Sequence, residues 1–184
     1  MKKPFLIVTA LLAFCFSANT LFAQTAPAAT PAATSAATGD VVAAMTASDT
    51  YNAFSIAVRA AGLNTQLEGA GPFTIFAPTN EAYSKAPSAH MDSLFKDPAG
   101  LTTHMKTYIV NGKFTKADIL AGLQKGPIKY TTIDNHTLTL SPVTVNGHTR
   151  LQVADEAGNK AQVGAFDLMG TNGVVHGLTG ILTK

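Results

Sequence analysis

The sequence contains only one cysteine, Cys15, among its 184 residues. Cys15 lies in an N-terminal segment that has two lysines, an apolar run at residues 5–16 and a small residue, Ala23, suited to signal-peptidase cleavage. We therefore interpret residues 1–23 as a secretory signal peptide. Its removal leaves a mature chain with no thiol nucleophile and no disulfide, so the core alone must stabilise the domain.

A long hydrophobic run is also missing. The apolar run at residues 5–16 is shorter than the roughly 20 residues that a membrane-spanning helix needs. An uncleaved N-terminal anchor remains the alternative to a cleaved signal. A lipoprotein interpretation of Cys15 is weak, because bulky Phe14 precedes it where a small residue is expected. We expect no membrane span in the mature chain.

An excess of positive charge is absent once the signal is removed. The whole chain has 13 Lys and Arg against 11 Asp and Glu. Removing Lys2 and Lys3 leaves 11 of each, so the mature chain is neutral when its histidines are uncharged. A nucleic-acid-binding domain needs a clustered basic face. The composition therefore predicts no nucleic-acid partner.

Common catalytic and metal-binding motifs are absent from the sequence. It has no G-x-S-x-G nucleophile elbow and no phosphate-cradling glycine loop. The five histidines show no pair at one helical turn and no short ligand motif. They are His90, His104, His136, His148 and His176. We predict no catalytic residue, no metal site and no cofactor, and we interpret Asp155-Glu156 as solvated turn carboxylates and Asp118 and Asp167 as capping or turn residues.

Residues 24–39 consist mainly of alanine, threonine and proline, with no charge and no large apolar side chain. Such a segment cannot bury enough surface to offset its ordering entropy, and the prolines Pro27 and Pro31 favour an extended tether. We predict a disordered linker, with a glycosylated stalk as the alternative. Residues 40–184 then form one domain of ordinary size.

Helical patterns come first in this domain and short strands follow. The predicted helices are at residues 41–46, 50–61, 81–85, 91–95, 98–110 and 116–120, with one early strand at 73–77. The later strand-like runs are at residues 128–133, 137–140, 143–145, 151–154, 161–166, 174–176 and 181–183. Turn clusters such as Asn146-Gly147 separate them. This order of elements predicts an α+β fold rather than a βαβ repeat.

Two segments stand out, and we name them the first box and the second box. The first box, GPFTIFAPTNEAY, covers residues 71–83, and its strand is followed by Thr79 and Asn80, which can cap a helix. The second box, DLMGTNGVVHGLTGIL, covers residues 167–182.

The second box contains a tight turn followed by a strand. Asn172-Gly173 predicts the turn, because glycine tolerates positive φ. Val175 is expected to pack inward, and His176 is expected to bond to backbone groups of the first box. A buried histidine without hydrogen bonds costs about 1–3 kcal/mol, so we interpret His176 as structural rather than as a ligand.

At this separation the two boxes resemble the two signature boxes of the fasciclin (FAS1) domain. The central segment MKTYIVNGKFTKADI resembles the family as well, and the resemblance covers about residues 40–184. It implies a fasciclin-like β-sandwich or wedge of short strands flanked by N-terminal helices. The signature residues it assigns are Thr79, Asn80, Tyr108, Asn172, Gly173 and His176.

The resemblance implies a non-catalytic adhesion and interaction module. Together with the signal peptide it predicts a secreted or periplasmic protein of the bacterial envelope. The implied partner is an extracellular or envelope protein or polysaccharide, and the implied chain is a monomer or weakly self-associating. The alternative is a periplasmic small-ligand carrier or enzyme whose phenylalanines line an apolar pocket.

One element before the second-box turn implies a contact surface. Asp167-Leu168-Met169 resembles the Asp-Ile-Met element of animal members, which is associated with integrin binding, with leucine in place of isoleucine. We expect a contact surface here, without an integrin partner. The sequence departs from the family pattern at Ile109, where a histidine is common, and at residues 177–179, where Gly-Leu-Thr replaces Val-Ile-Asp.

Overall fold

A computed structural model of the chain describes residues 39–145 and 147–182, with only the backbone described at residues 88–90. The predicted signal peptide and residues 24–38 of the predicted linker lie outside the described residues. So does Asn146, the first residue of one predicted turn.

The helices lie mainly in the first part of the domain. Several begin at side chains that accept a backbone N–H, which satisfies a donor left free at a helix start. Asp40, Thr79, Asp97 and Thr115 all cap in this way, and Thr115 forms a capping box with Asp118. The helices are α1 (Val41–Thr46), α2 (Asn52–Ala60), α3 (Asn64–Leu67), α4 (Asn80–Ser84), α5 (Ser88–Lys96), α6 (Pro98–Thr107) and α7 (Lys116–Leu123), with a short 3-10 helix at Asp49–Tyr51.

In the described part of the chain, seven strands form one mixed sheet in the order β2-β1-β7-β6-β5-β4-β3. They are β1 (Phe73–Pro78), β2 (Ile109–Asn111), β3 (Ile128–Thr131), β4 (Thr137–Val145), β5 (His148–Ala154), β6 (Lys160–Gly170) and β7 (Gly173–Leu178). The pair β1 and β7 is parallel, and the other neighbouring pairs are antiparallel. The predicted α+β fold with N-terminal helices is confirmed.

The two outer strands of the sheet approach each other. Val110 of β2 forms a bridge with Thr132, just after β3, and Ile133 N donates to Ile109 O at 2.9 Å. The sheet therefore wraps nearly into a closed barrel, which leaves little unpaired edge. The largest fully buried side chains include Phe54, Phe76 and Tyr108, and they belong to one continuous core.

Several local predictions were wrong. Residues 109–111 form strand β2 rather than the end of a helix, and the two runs at 137–140 and 143–145 are a single strand, β4. Residues 181–182 form no strand. The apolar residues of the helix predicted at 50–61 do not all face the core: Ile56 is 55% exposed, because α2 buries Phe54 and Val58 on the opposite side.

Candidate functional site

The strands of the two boxes are neighbours in the sheet. Strand β1 of the first box pairs in parallel with strand β7 of the second, from Phe73 opposite Gly173 to Pro78 opposite Leu178. Every residue of both strands is buried. A parallel pair covered on both faces requires nearly continuous apolar sequence, and this explains why both boxes have such runs.

A β-bulge in β6 lies directly opposite His176. Ala165 pairs with Gly177 and Leu168 pairs with Val175, so Phe166 and Asp167 together face the single residue His176. A bulge leaves the extra residue outside the regular ladder. The Asp167 N–H donates instead to His176 Nδ1 at 3.3 Å, so the imidazole completes the hydrogen bonding of the bulge.

The other nitrogen of His176 contacts the segment before α7. His176 Nε2 lies 2.7 Å from the carbonyl oxygen of Phe114. Because Nδ1 accepts from a backbone N–H and Nε2 faces a carbonyl, the proton belongs on Nε2 and the ring is neutral. Burial lowers the pKa of His176 below its usual 6.5, opposed by the bond to Phe114 and the charge of Asp167.

The hydrogen bonds of His176 therefore go to Phe114 and Asp167, and the prediction that they go to first-box backbone was wrong. The first box contributes a ring contact instead: Phe76, the register partner of His176, has its centroid 5.6 Å from the imidazole. A backbone partner 62 residues distant in sequence leaves no local signal.

Phe114 is held by side chains from both boxes. Its N–H donates to Thr74 Oγ1 at 2.9 Å, while its carbonyl accepts from His176. Thr74 also donates to Gly112 O at 2.7 Å. Thr74 was not predicted from the sequence. The sequence did contain one signal for it, because Thr74 is a hydroxyl residue among apolar residues of strand β1, which is buried along its whole length.

Asn172 joins three separate segments through its side chain. Its Oδ1 accepts from Val41 N at 2.9 Å, and its Nδ2 donates to Leu67 O at 2.6 Å and to Gly69 O at 2.9 Å. The second-box turn is thereby bonded to the start of α1 and to the end of α3.

Gly173 is required by close approach rather than by positive φ. The glycines with positive φ in the described residues do not include Gly173. A Cβ at this position would overlap the carbonyl oxygen of Phe73 in the parallel pair. The physical reason given for Gly173 in the sequence prediction is therefore corrected, because strand pairing excludes a side chain there.

Thr79 and Asn80 connect the first box to two helix starts. Thr79 Oγ1 accepts from Ala82 N at 3.2 Å and caps α4. Asn80 Oδ1 accepts from Ala53 N at 2.9 Å, and its amide donates to Asp49 O. Asn80 thus supplies the acceptor at the start of α2, where the preceding Tyr51 makes no side-chain capping bond.

Tyr108 connects the central segment to the end of the described chain. Its buried hydroxyl accepts from Leu182 N at 2.9 Å and lies 3.3 Å from His104 Nε2. Burial raises the pKa of Tyr108 well above its usual 10.0, so the hydroxyl stays protonated. Ile109, which stands where the family commonly has a histidine, is buried in the core.

Asp167, Leu168 and Met169 lie on β6 and are each half-buried. Asp167 has a φ of 60° within the bulge, and its Oδ1 accepts the N–H of Lys116 at 2.8 Å. Lys116 is the first residue of α7, where a carboxylate is favoured by the helix dipole. The Asp167 carboxylate therefore fixes a helix start, as the capping interpretation expected, while Leu168 and Met169 remain partly exposed.

The carboxylates at 155 and 156 form defined bonds rather than being merely solvated. Asp155 accepts from the backbone and side-chain amides of Asn159 at 2.8 and 2.7 Å. Glu156 accepts from Thr137 N at 2.8 Å and lies 3.1 Å from His136 Nδ1. Bonds to Thr137 and His136 lower the pKa of Glu156. These contacts connect the β5–β6 turn to the start of β4.

Across residues 39–145 and 147–182, no group of three His, Cys, Asp or Glu side chains is arranged to hold a metal ion. In the same described residues, no helix is both long enough and apolar enough to cross a membrane.

A family model described as the Fasciclin domain matches residues 49–184. The chain belongs to the fasciclin domain family. The resemblance drawn from the two boxes is therefore confirmed, and both lie within the matched range.

Curated relatives of this fasciclin chain come from animals and bacteria. It is 34% identical over 128 residues to transforming growth factor-beta-induced protein ig-h3 of Oryctolagus cuniculus, covering 70% of this chain and 17% of that protein. It is 29% identical over 138 residues to protein sll1483 of Synechocystis sp., covering 74% of this chain and 68% of that protein. The chain therefore spans only a small part of the animal relative.

A solved structure shows the same fold. It is the FAS1 domain pair from the insect cell adhesion molecule Fasciclin I, with a TM-score of 0.63 and 18% sequence identity. The superposition covers 80% of this chain and 52% of that chain.

Proposed function

We propose that this fasciclin domain is a secreted or periplasmic interaction module that binds an envelope or matrix protein or a surface polysaccharide and catalyses no reaction. The observation that carries the proposal is the partly exposed pair Leu168 and Met169, which lies in the second box beside polar groups that bond within the chain. The solved relative from an insect cell adhesion molecule supports an adhesive role.

The proposed organisation is a signal peptide at residues 1–23, a linker at 24–39 and the fasciclin domain at 40–184. After removal of the signal peptide, the linker would be an extended segment on the N-terminal side of the domain. The mature chain is proposed to be a monomer or weakly self-associating, and sedimentation across a concentration series tests that directly.

We assign the contact surface to Asp167, Leu168 and Met169. The Asp167 carboxylate fixes the start of α7, which leaves the two apolar side chains to contact a partner. The signature residues have the structural role of joining distant segments. They are Thr79, Asn80, Tyr108, Asn172, Gly173 and His176.

The test combines a glycan array with a pull-down from envelope extract of the native host. The double variant Leu168→Ser/Met169→Ser should lose the captured partner while its melting transition stays cooperative. Ile56→Ser is the matched control, because it removes another exposed apolar side chain, on α2. No saturable partner in either assay, or equal capture by all three proteins, would contradict the proposal.

A second candidate function, carriage of a small ligand, is favoured by one groove. A cavity of about 770 Å³ lies beside α6, the β5–β6 turn and Leu182, and this volume is in the range of small-molecule sites. Its lining includes Leu94, Leu182, His104, His136, Asp155 and Glu156. A thermal-shift screen of small molecules tests it, and a hit abolished by Leu94→Trp would support carriage over macromolecular adhesion.

A further inference from the structure

A second, smaller pocket lies between α7 and strands β4, β5 and β6. Its volume is about 360 Å³, near the lower end of the roughly 300–1,000 Å³ that small-molecule sites occupy. Leu151 and Val163 form a buried apolar floor, with Phe166 beside them. Leu120 stands at the rim with 48% of its surface exposed.

The charges around this pocket have one sign. Lys116 and Arg150 both line it, and none of its described lining residues is acidic. The Lys116 ammonium lies 5.2 Å from the centroid of the Phe166 ring, a distance suited to a cation–π contact. Arg150 is exposed.

Neither cation has a carboxylate partner among the described residues. The nearby Asp167 carboxylate accepts the backbone N–H of Lys116 instead. Two cations without a described carboxylate partner therefore flank an apolar pocket in a mature chain that the sequence predicts to be neutral. An anion bound here could form charge-assisted hydrogen bonds, which are stronger than neutral ones.

We propose that this pocket binds a small amphipathic carboxylate, whose hydrocarbon part lies on Leu151, Val163 and Phe166 and whose carboxylate lies between Lys116 and Arg150. Burial of the hydrocarbon supplies the apolar part of the binding free energy. The two cations select the charge of the head group, since an ammonium amphiphile meets like charges. This site goes beyond the proposed interaction function and does not depend on any macromolecular partner.

Isothermal titration calorimetry with octanoate tests the proposal, with octylammonium as the charge-reversed probe. Octanoate should bind the wild-type protein saturably, and octylammonium should bind at least about tenfold more weakly. Lys116→Gln/Arg150→Gln should lose octanoate binding by a similar factor. The matched control is Lys129→Gln/Lys160→Gln, which removes two exposed lysines from β3 and β6 and should bind octanoate as wild type does.

A charge-reversed variant sharpens the test. Lys116→Glu/Arg150→Glu should prefer octylammonium to octanoate, and far-ultraviolet circular dichroism should show that it is folded. Equal affinity of the wild type for both probes, or unchanged octanoate binding in Lys116→Gln/Arg150→Gln, would overturn the proposal. So would binding confined to an acidic peptide with no octanoate binding, because the occupant would then be a protein segment.

Discussion

At the junction of β1 and β7, polar side chains bond to backbone groups of the same chain, whereas beside α7 two cations have no carboxylate partner among the described residues. Thr74 and His176 both bond to Phe114, and no polar atom of the imidazole is left for a ligand. Lys116 and Arg150 instead border a pocket with no described acidic residue. The first region maintains the fold, and the second is the site that we propose for a ligand.

This difference shows that the buried residues that identify the family are not the residues that we propose for binding a carboxylate. In this chain, residues of the two boxes by which the family is identified join separate strands and helices. A shared fold carries many different binding functions, so we expect the partly exposed side chains, rather than the buried polar groups of the boxes, to determine which molecules this member contacts.

The largest expected effect is that of His176→Ala. The variant removes a fully buried ring and leaves Phe114 O and Asp167 N without partners. We expect the free energy of unfolding to fall by about 3–5 kcal/mol, from the cavity and the unsatisfied groups together. Urea unfolding at neutral pH measures this loss.

The control for His176→Ala is His148→Ala, because His148 is exposed at the start of β5 and its removal should change stability by less than about 0.5 kcal/mol. If His176→Ala kept wild-type stability but lost partner binding, His176 would be a binding residue. The junction of β1 and β7 would then be a binding site rather than a structural region.

Asn172→Ala should have the next largest effect. It removes the three hydrogen bonds that join the second-box turn to Val41, Leu67 and Gly69. The site is partly exposed, so water replaces some of these partners, and we expect a loss of about 2–3 kcal/mol in urea unfolding. Asn111→Ala, at an exposed position of β2, is the control. Similar stability of the two variants would contradict the structural role of Asn172.

Acidification should weaken the buried junction. The pKa of His176 is lowered in the folded state, so below pH 6.5 the unfolded chain takes up a proton that the folded chain does not. This contribution to stability is complete above pH 6.5 and is lost as the pH falls through the folded-state pKa, at no more than about 1.4 kcal/mol per pH unit.

Urea unfolding of wild type and His176→Gln between pH 7.5 and 5 isolates this proton. The wild type should lose more stability over that interval than the variant does. If the free energy of unfolding changed equally with pH in the two proteins, the His176 imidazole would have the same pKa in the folded and unfolded chains. That result would contradict the lowering of its pKa by burial at the junction.

The smallest of these effects is expected at the start of α7. Thr115 Oγ1 accepts from Asp118 N, and the Asp118 side chain accepts from Thr115 N. Thr115→Ala should cost about 1 kcal/mol, the usual value of an N-cap. Thermal unfolding measures it, with Thr144→Ala at an exposed site of β4 as control. No difference between these variants would show that Asp167 alone suffices to fix the start of α7.

Local sequence signals predicted those features whose causes are local. Thr79 was predicted as a helix cap, and it bonds three residues ahead to Ala82. The β-branched and aromatic residues of the first box and the two valines after the second-box turn predicted the strands β1 and β7, and both strands prove to be buried along their whole length. The order of helices and strands was sufficient for the fold class.

Features set by distant residues could not be predicted in this way. Ile109 and Val110 continue the apolar pattern of α6, so nothing local separates β2 from the helix. Pro142 divided β4 into two predicted runs, because proline has no N–H to donate within a sheet. Beyond Leu140, however, β4 pairs only with β5 and its other edge is unpaired. A proline is tolerated at such an edge, so the strand continues through Pro142. The bulge opposite His176 depends on the register of β6 against β7, which the sequence does not encode locally.

The central claim is that the junction of β1 and β7 stabilises the fold while the pocket beside α7 binds a carboxylate. Its most direct test is the free energy of unfolding, measured by urea titration with and without octanoate below its micelle-forming concentration. A ligand that binds only the folded state adds RT ln(1 + [L]/Kd) to that free energy. Asn172→Ala should lower the baseline and keep the octanoate increment, whereas Lys116→Gln/Arg150→Gln should keep the baseline and lose the increment. Loss of the increment in Asn172→Ala with an unchanged baseline would contradict the division and place ligand binding at the boxes.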